Sequence, residues 1–152
     1  MIDDLYSARI LKLAANMPRA GRLAAPQGSS QKVSKLCGSK VTVDLALEDG
    51  RVVDFAQDVQ ACALGQASAA VLGENVIGAR LDEIETARDQ LRAMLKTGGS
   101  PPEGRFVDLK VLQAVKDYPA RHASTLLAFE AAVEAARLAS SPATRTSRAG
   151  AA

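Results

Sequence analysis

A chain of 152 residues, 47% of them apolar, with a formal charge of +2, suits one domain around one core. Aromatic residues make up 3% and tryptophan is absent, so the core falls to Leu, Val, Ile and Ala, and no lysine–arginine block interleaved with aromatics speaks for nucleic acid. No apolar run approaches the roughly 18 residues that span a bilayer. Met1-Ile2-Asp3-Asp4 lacks the basic-then-apolar order of a signal peptide, so a cytoplasmic protein away from membranes is expected, its two cysteines reduced and open to metal or redox chemistry.

In chain order, Leu5, Ile10, Leu13 and Met17 are spaced as one face of a helix over Asp3–Met17, with Asp3 or Asp4 as N-cap and Pro18 and Gly21 as the stop. Leu23 to Leu36 reads as loop with a short edge strand near Gln31–Lys35. Val41, Val43, Leu45 and Leu47 then alternate with Thr42, Asp44 and Ala46, the period of a strand. Asp49-Gly50 marks a tight hairpin turn. The return strand, Val52–Gln60, is expected to bury Val53, Phe55 and Val59 and to leave Asp54 and Asp58 wet as exposed charges. Everything beyond Cys62 looks helical. A small-residue helix over Ala63–Val76 stops at Gly78. An amphipathic helix follows, with Leu81, Ile84, Leu91, Met94 and Leu95 as its face and Asp82 and Glu83 in its first turn. Gly98-Gly99-Ser100-Pro101-Pro102 is a connection. Phe106, Leu109, Leu112 and Val115 mark a short helix broken by Pro119, and Ala120–Leu138 is the last helix. Residues 1–139 form one domain in this reading, and 140–152 a small, polar, basic tail expected to be disordered.

The two cysteines are the chemically informative residues. Cys37 stands at a loop-to-strand joint, and Cys62 stands where the hairpin's second strand gives way to a helix. A thiol at a helix N-terminus favours its anionic form, and such pairs suit soft metals.

Motifs placed along almost the whole chain resemble one family. Asp4-Leu5-Tyr6 followed by Pro18-Arg19 and Gly21, Leu36-Cys37-Gly38, the Asp49-Gly50 turn, Ala61-Cys62-Ala63 running into Ala67-Ser68-Ala69, and Pro119-Ala120-Arg121 before Leu126-Leu127-Ala128 resemble the U-type iron–sulfur cluster assembly scaffolds, the IscU/SufU/NifU N-terminal family. The resemblance covers about Asp3 to Ala136. It implies an α+β fold, a three-stranded antiparallel sheet with helices packed on one face. It implies a protein that is not an enzyme in the ordinary sense, but a scaffold that works with a cysteine desulfurase and acceptor apo-proteins.

The departures are equally specific. On that alignment the family's third cysteine falls at Ser124, the aspartate after its first Cys-Gly at Ser39, and the residue before the third cysteine at Ala123. Tyr118-Pro119-Ala120-Arg121 stands where one branch carries a chaperone-binding motif, which speaks against recruitment of a dedicated Hsp70. The ligands implied are Cys37 and Cys62, with His122 and Ser124 as auxiliaries. The cargo would be iron or an iron–sulfur cluster of the [2Fe–2S] type, with zinc as an alternative. A cluster takes mostly thiolates and usually four ligands, so two thiols leave positions for a second protomer in a homodimer or for a small thiol. If neither fills them, the fold serves as a cluster-free interaction module. A helix-terminal role for His122, a solvated Arg121, and capping roles for Ser124 and Thr125 are the plainer readings of those residues.

Overall fold

The computed structural model describes residues 7–35 and 38–140. The assignments to Asp3, Asp4, Leu5, Leu36, Cys37 and the tail from Ser141 onward lie outside these residues. Helix α1 (Ala8–Ala15) is opened by Ser7, whose Oγ accepts from the Ile10 amide at 3.3 Å, and it buries Ile10. Three antiparallel strands follow in the order β1 (Gly28–Ser34), β2 (Ser39–Glu48), β3 (Arg51–Gln60). Strand β1 is longer than the edge strand anticipated at Gln31–Lys35.

The hairpin turn is as expected. Asp49 and Gly50 have φ of 54° and 77°, the two positive values that a two-residue turn compatible with strand twist requires. The facing of β3 is not. The pairing shifts between Ala46, opposite Asp54, and Leu47, opposite Val52. Val53 is the extra residue of this bulge. It is 44% exposed while Val52 is fully buried, because a one-residue insertion moves the preceding side chains to the other face. Phe55 is buried, Val59 is half-buried, and Asp54 and Asp58 are exposed as anticipated.

Strand β2 is central, and its outer face is not wet. Thr42, Asp44 and Ala46 are all buried. Arg22 closes over Asp44 with a two-pronged ion pair at 2.6 and 3.1 Å, and the Leu23 amide and Ser29 hydroxyl also donate to that carboxylate. Burial pushes the carboxyl up, but the bond from Arg22, joined by those from Ser29 and Leu23, outweighs it and holds Asp44 below the usual range.

Helix α2 (Ala63–Asn75) is the hub and is buried almost all round. A helix apolar on every side must lie inside, and its small residues let neighbours come close. A Cβ at Gly73 would lie 2.7 Å from Nε2 of Gln57. Gln57 itself is fully buried, and its Nε2 donates to the carbonyls of Ala69 and Pro18. Helix α3 (Leu81–Thr97) begins with the Arg80 amide donating to Glu83 and ends on Gly98 at φ 72°, a left-handed cap.

The segment Gly104–Asp117 winds as 3₁₀ turns kinked at Phe106. It buries Phe106, Leu109, Leu112 and Val115, and Phe106 meets Phe129 edge to face at 5.4 Å. A single turn, Pro119–Arg121, leads into α4 (His122–Ala139), which packs along the sheet and buries a broad alanine-rich face. The helices cover one side of the three-stranded sheet, as the resemblance implied. No helix among the described residues is long and apolar enough to cross a membrane.

Candidate functional site

Three separate pieces of chain meet at the end of the sheet opposite the hairpin turn. The β1–β2 connection delivers Ser39, since Ser34 pairs with Ser39 and Gly38, at φ 73°, donates its amide to the Ser34 carbonyl at 2.8 Å. The end of β3, where Gln60 pairs with Lys40, delivers Cys62 as the N-cap of α2. The first turn of α4 delivers Ser124.

Their side chains touch. Cys62 Sγ lies 3.2 Å from Ser124 Oγ, and Ser124 Oγ lies 3.2 Å from Ser39 Oγ. Ser39 and Ser124 are buried, at 3% and 1% exposed, whereas Cys62 is half-buried. The sulfur does not cap its own helix; it turns toward α4 instead. Close approach of α2 to α4 depends on Gly65. A Cβ there would sit 2.9 Å from Ser124 Oγ and 3.1 Å from its carbonyl oxygen.

The other residues singled out in the sequence fall around this trio. His122 is buried, with Nε2 at 2.9 Å from the Val115 carbonyl and 3.2 Å from that of Lys116. Two acceptors require that nitrogen to carry the proton, so the ring ties α4 to the end of the 3₁₀ segment and Nε2 is engaged. Thr125 donates to the Arg121 carbonyl at 2.8 Å and holds the first turn of α4. Cys37 lies outside the described residues, two positions before Ser39 in the chain.

The donor set of the trio is one thiol and two hydroxyls. A hydroxyl is far harder to ionise than a thiol, whose free pKa is about 8.5, and no group of three or more His, Cys, Asp or Glu side chains able to hold a metal forms among the described residues. The described donors of a single chain therefore do not supply the four ligands that a cluster usually takes. They do supply a half-buried sulfur beside two buried hydroxyls. The sequence marks Ser39 and Ser124 only as separate departures from the resembled family. The signal that joins them is that the resemblance implies ligand positions at both serines, with Gly65 one turn along α2 from Cys62.

An antiparallel three-stranded sheet under a helical layer, with a cysteine at the sheet-to-helix joint, defines the architecture of an iron–sulfur scaffold domain. The profile of the NifU-like N-terminal domain matches residues 5–125, and the chain belongs to that family, a family of iron–sulfur cluster assembly scaffolds. Over 138 residues it is 30% identical to the iron–sulfur cluster assembly scaffold protein IscU of Thermotoga maritima, covering 91% of this chain and 96% of that one. Among solved structures, the N-terminal part of a nitrogen-fixing NifU-like protein from Brucella abortus is 55% identical with a TM-score of 0.89, over 91% of this chain and 96% of that one. A scaffold protein described for the SUF system of Fervidobacterium islandicum shares the fold, with a TM-score of 0.80 at 23% identity over 88% of this chain and 98% of that one.

Proposed function

We propose that this chain is a cytoplasmic, non-enzymatic scaffold-like protein that accepts sulfur through Cys37 and Cys62 and holds iron or a cluster only when a second protomer adds its own pair of thiols. The observation that carries this reading is the trio itself. At the positions that the resemblance implies for ligands, the described residues bring together one half-buried thiol and two buried hydroxyls, with a second thiol two residues up the chain from Ser39.

Sulfur acceptance needs only one thiol. Cys62, having given its proton to solvent, attacks the outer sulfur of a donor persulfide. A sulfur–sulfur bond forms to Cys62, the donor's sulfur–sulfur bond breaks, and the donor sulfur leaves with the electron pair. No outside oxidant or reductant takes part. By family likeness the donor is a cysteine desulfurase, and the later recipients are acceptor apo-proteins.

Anaerobic incubation with iron and sulfide, followed by visible absorption and iron and sulfide content per chain, tests the reading. About one iron per chain with a charge-transfer band is expected for a cluster shared by two protomers, and Cys62→Ser should abolish the bound metal. Full retention in that variant would overturn the assignment. A second reading, a cluster-free interaction module, is favoured by the hydroxyls at Ser39 and Ser124; a protein that stays colourless and metal-free yet binds a desulfurase would establish it. A zinc site using Cys37, Cys62 and His122 would have to use Nδ1 of the imidazole, since Nε2 faces two carbonyls.

A further inference from the structure

The geometry points to Ser124 as a positioning residue for the Cys62 sulfur, with Ser39 holding the Ser124 hydroxyl in turn. The inference rests on the reading of Cys62 as the sulfur acceptor and concerns how that sulfur is aimed.

Three independent features support it. The sulfur sits at an N-cap yet makes no capping bond to its own helix, and the side chain that meets it is Ser124 at 3.2 Å. Both hydroxyls are almost free of solvent, so little water competes for their bonds, and a buried chain of hydrogen bonds holds its members more firmly than an exposed one. The third feature is on α2. Gly65 leaves open the place where any larger residue would press on Ser124 Oγ at 2.9 Å, so the helix backbone is shaped around this hydroxyl.

Chemistry then fixes the direction of the bonds. A sulfur that has lost its proton can only accept, so the Ser124 hydroxyl donates to Cys62, and the Ser124 oxygen is left to accept from Ser39. The same arrangement serves the persulfide, whose inner sulfur occupies the same position. Removing the hydroxyl leaves the sulfur free to rotate toward the amides of its own helix and away from an incoming donor.

The test uses the full chain as wild type, Ser124→Ala and Ser124→Thr. Alkylation of Cys62 by iodoacetamide at one pH is followed by peptide mass spectrometry, alongside sulfane uptake from glutathione persulfide and thermal melts. Ser124→Ala should alkylate about 3- to 10-fold more slowly, the loss expected from one hydrogen bond, and Ser124→Thr should recover most of the rate. All variants should react alike in concentrated urea. Should Ser124→Thr fail to fold, Ser39→Ala takes its place and should show a smaller slowing in the same direction. A wild-type rate in folded Ser124→Ala overturns the inference. Slowed alkylation in a protein that takes up no sulfane sulfur keeps the positioning role and removes the sulfur reading; normal uptake with unaffected alkylation does the reverse.

Discussion

Asp44 shows how much one residue carries outside the site. Its side chain is fully buried and accepts four hydrogen bonds, two of them from Arg22, which is itself 56% exposed. Exposure of the arginine weakens the ion pair, but the Asp44 carboxylate is itself fully buried, and an amide in its place would turn an NH2 donor toward the Arg22, Ser29 and Leu23 donors. Asp44→Asn should therefore cost about 2 kcal/mol at neutral pH, measured by urea unfolding. The pH dependence follows from the carboxyl being held below its ordinary value near 3.9. A depressed folded-state pKa contributes stability that is present above the unfolded value and lost as pH falls through the folded one. The gap between wild type and Asp44→Asn should thus be constant from neutral pH down to about 4 and close below it. A gap that widens in acid would contradict this assignment. The sequence showed Asp44 only as a polar residue on an alternating strand; that it is covered depends on Arg22, which is 22 residues away and carries no periodic signal.

Elements differ in how plainly the sequence announced them. The hairpin, α2, α3 and α4 were legible because turn chemistry and apolar period are local properties. The bulge in β3 was not, since Val53 is as apolar as Val52 and only the pairing with Ala46 and Leu47 decides which one is buried. The 3₁₀ segment was legible as helical but not as to its kind, although Phe106, Leu109, Leu112 and Val115 recur at strict intervals of three, the repeat of a 3₁₀ helix rather than of an α-helix. Close approach between β1 and α4 is equally hidden. A Cβ on Gly28 would fall 2.0 Å from the Ala135 carbonyl oxygen and 2.8 Å from the Ala139 amide nitrogen. Gly28→Ala must then lever the sheet edge off α4, at about 3 kcal/mol or more, read as a lowered urea midpoint. The Lys32–Glu134 ion pair and the Ser30–Glu134 hydrogen bond tie the same two elements, so tryptic cleavage in β1 should accelerate in the same variant. Unchanged stability would mean that β1 and α4 do not approach as closely as described.

For the molecule as a whole, the family's architecture is present, and the proposed ligand reading can be tested apart from it by adding ligands. Ser39 and Ser124 already stand within 3.2 Å of one another, and Ser124 within 3.2 Å of Cys62. Ser39→Asp with Ser124→Cys should therefore convert shared binding into binding by a single chain. Iron after anaerobic incubation should rise from about one to about two per chain, with the colour surviving dilution. No gain over wild type would indicate that more than ligand identity has been lost. The fold was readable from motif order alone. What the sequence did not reveal was that Ser39 and Ser124 form one hydrogen-bonded unit with Cys62, because that unit is made by contacts between residues 62 and 85 positions apart.

That separation sets an order of events during synthesis. The sheet is complete once Gln60 has emerged, and Cys62 follows at once, but the hydroxyl that meets its sulfur arrives only with the first turn of α4. Until then a nascent chain displays a thiol with neither Ser124 beside it nor α4 packed against α2. Since the same late helix packs into the core and brings Ser124 to Cys62, a ribosome-bound or truncated chain would present the Cys62 thiol without its setting, and labelling of Cys62 becomes a clock for the docking of α4.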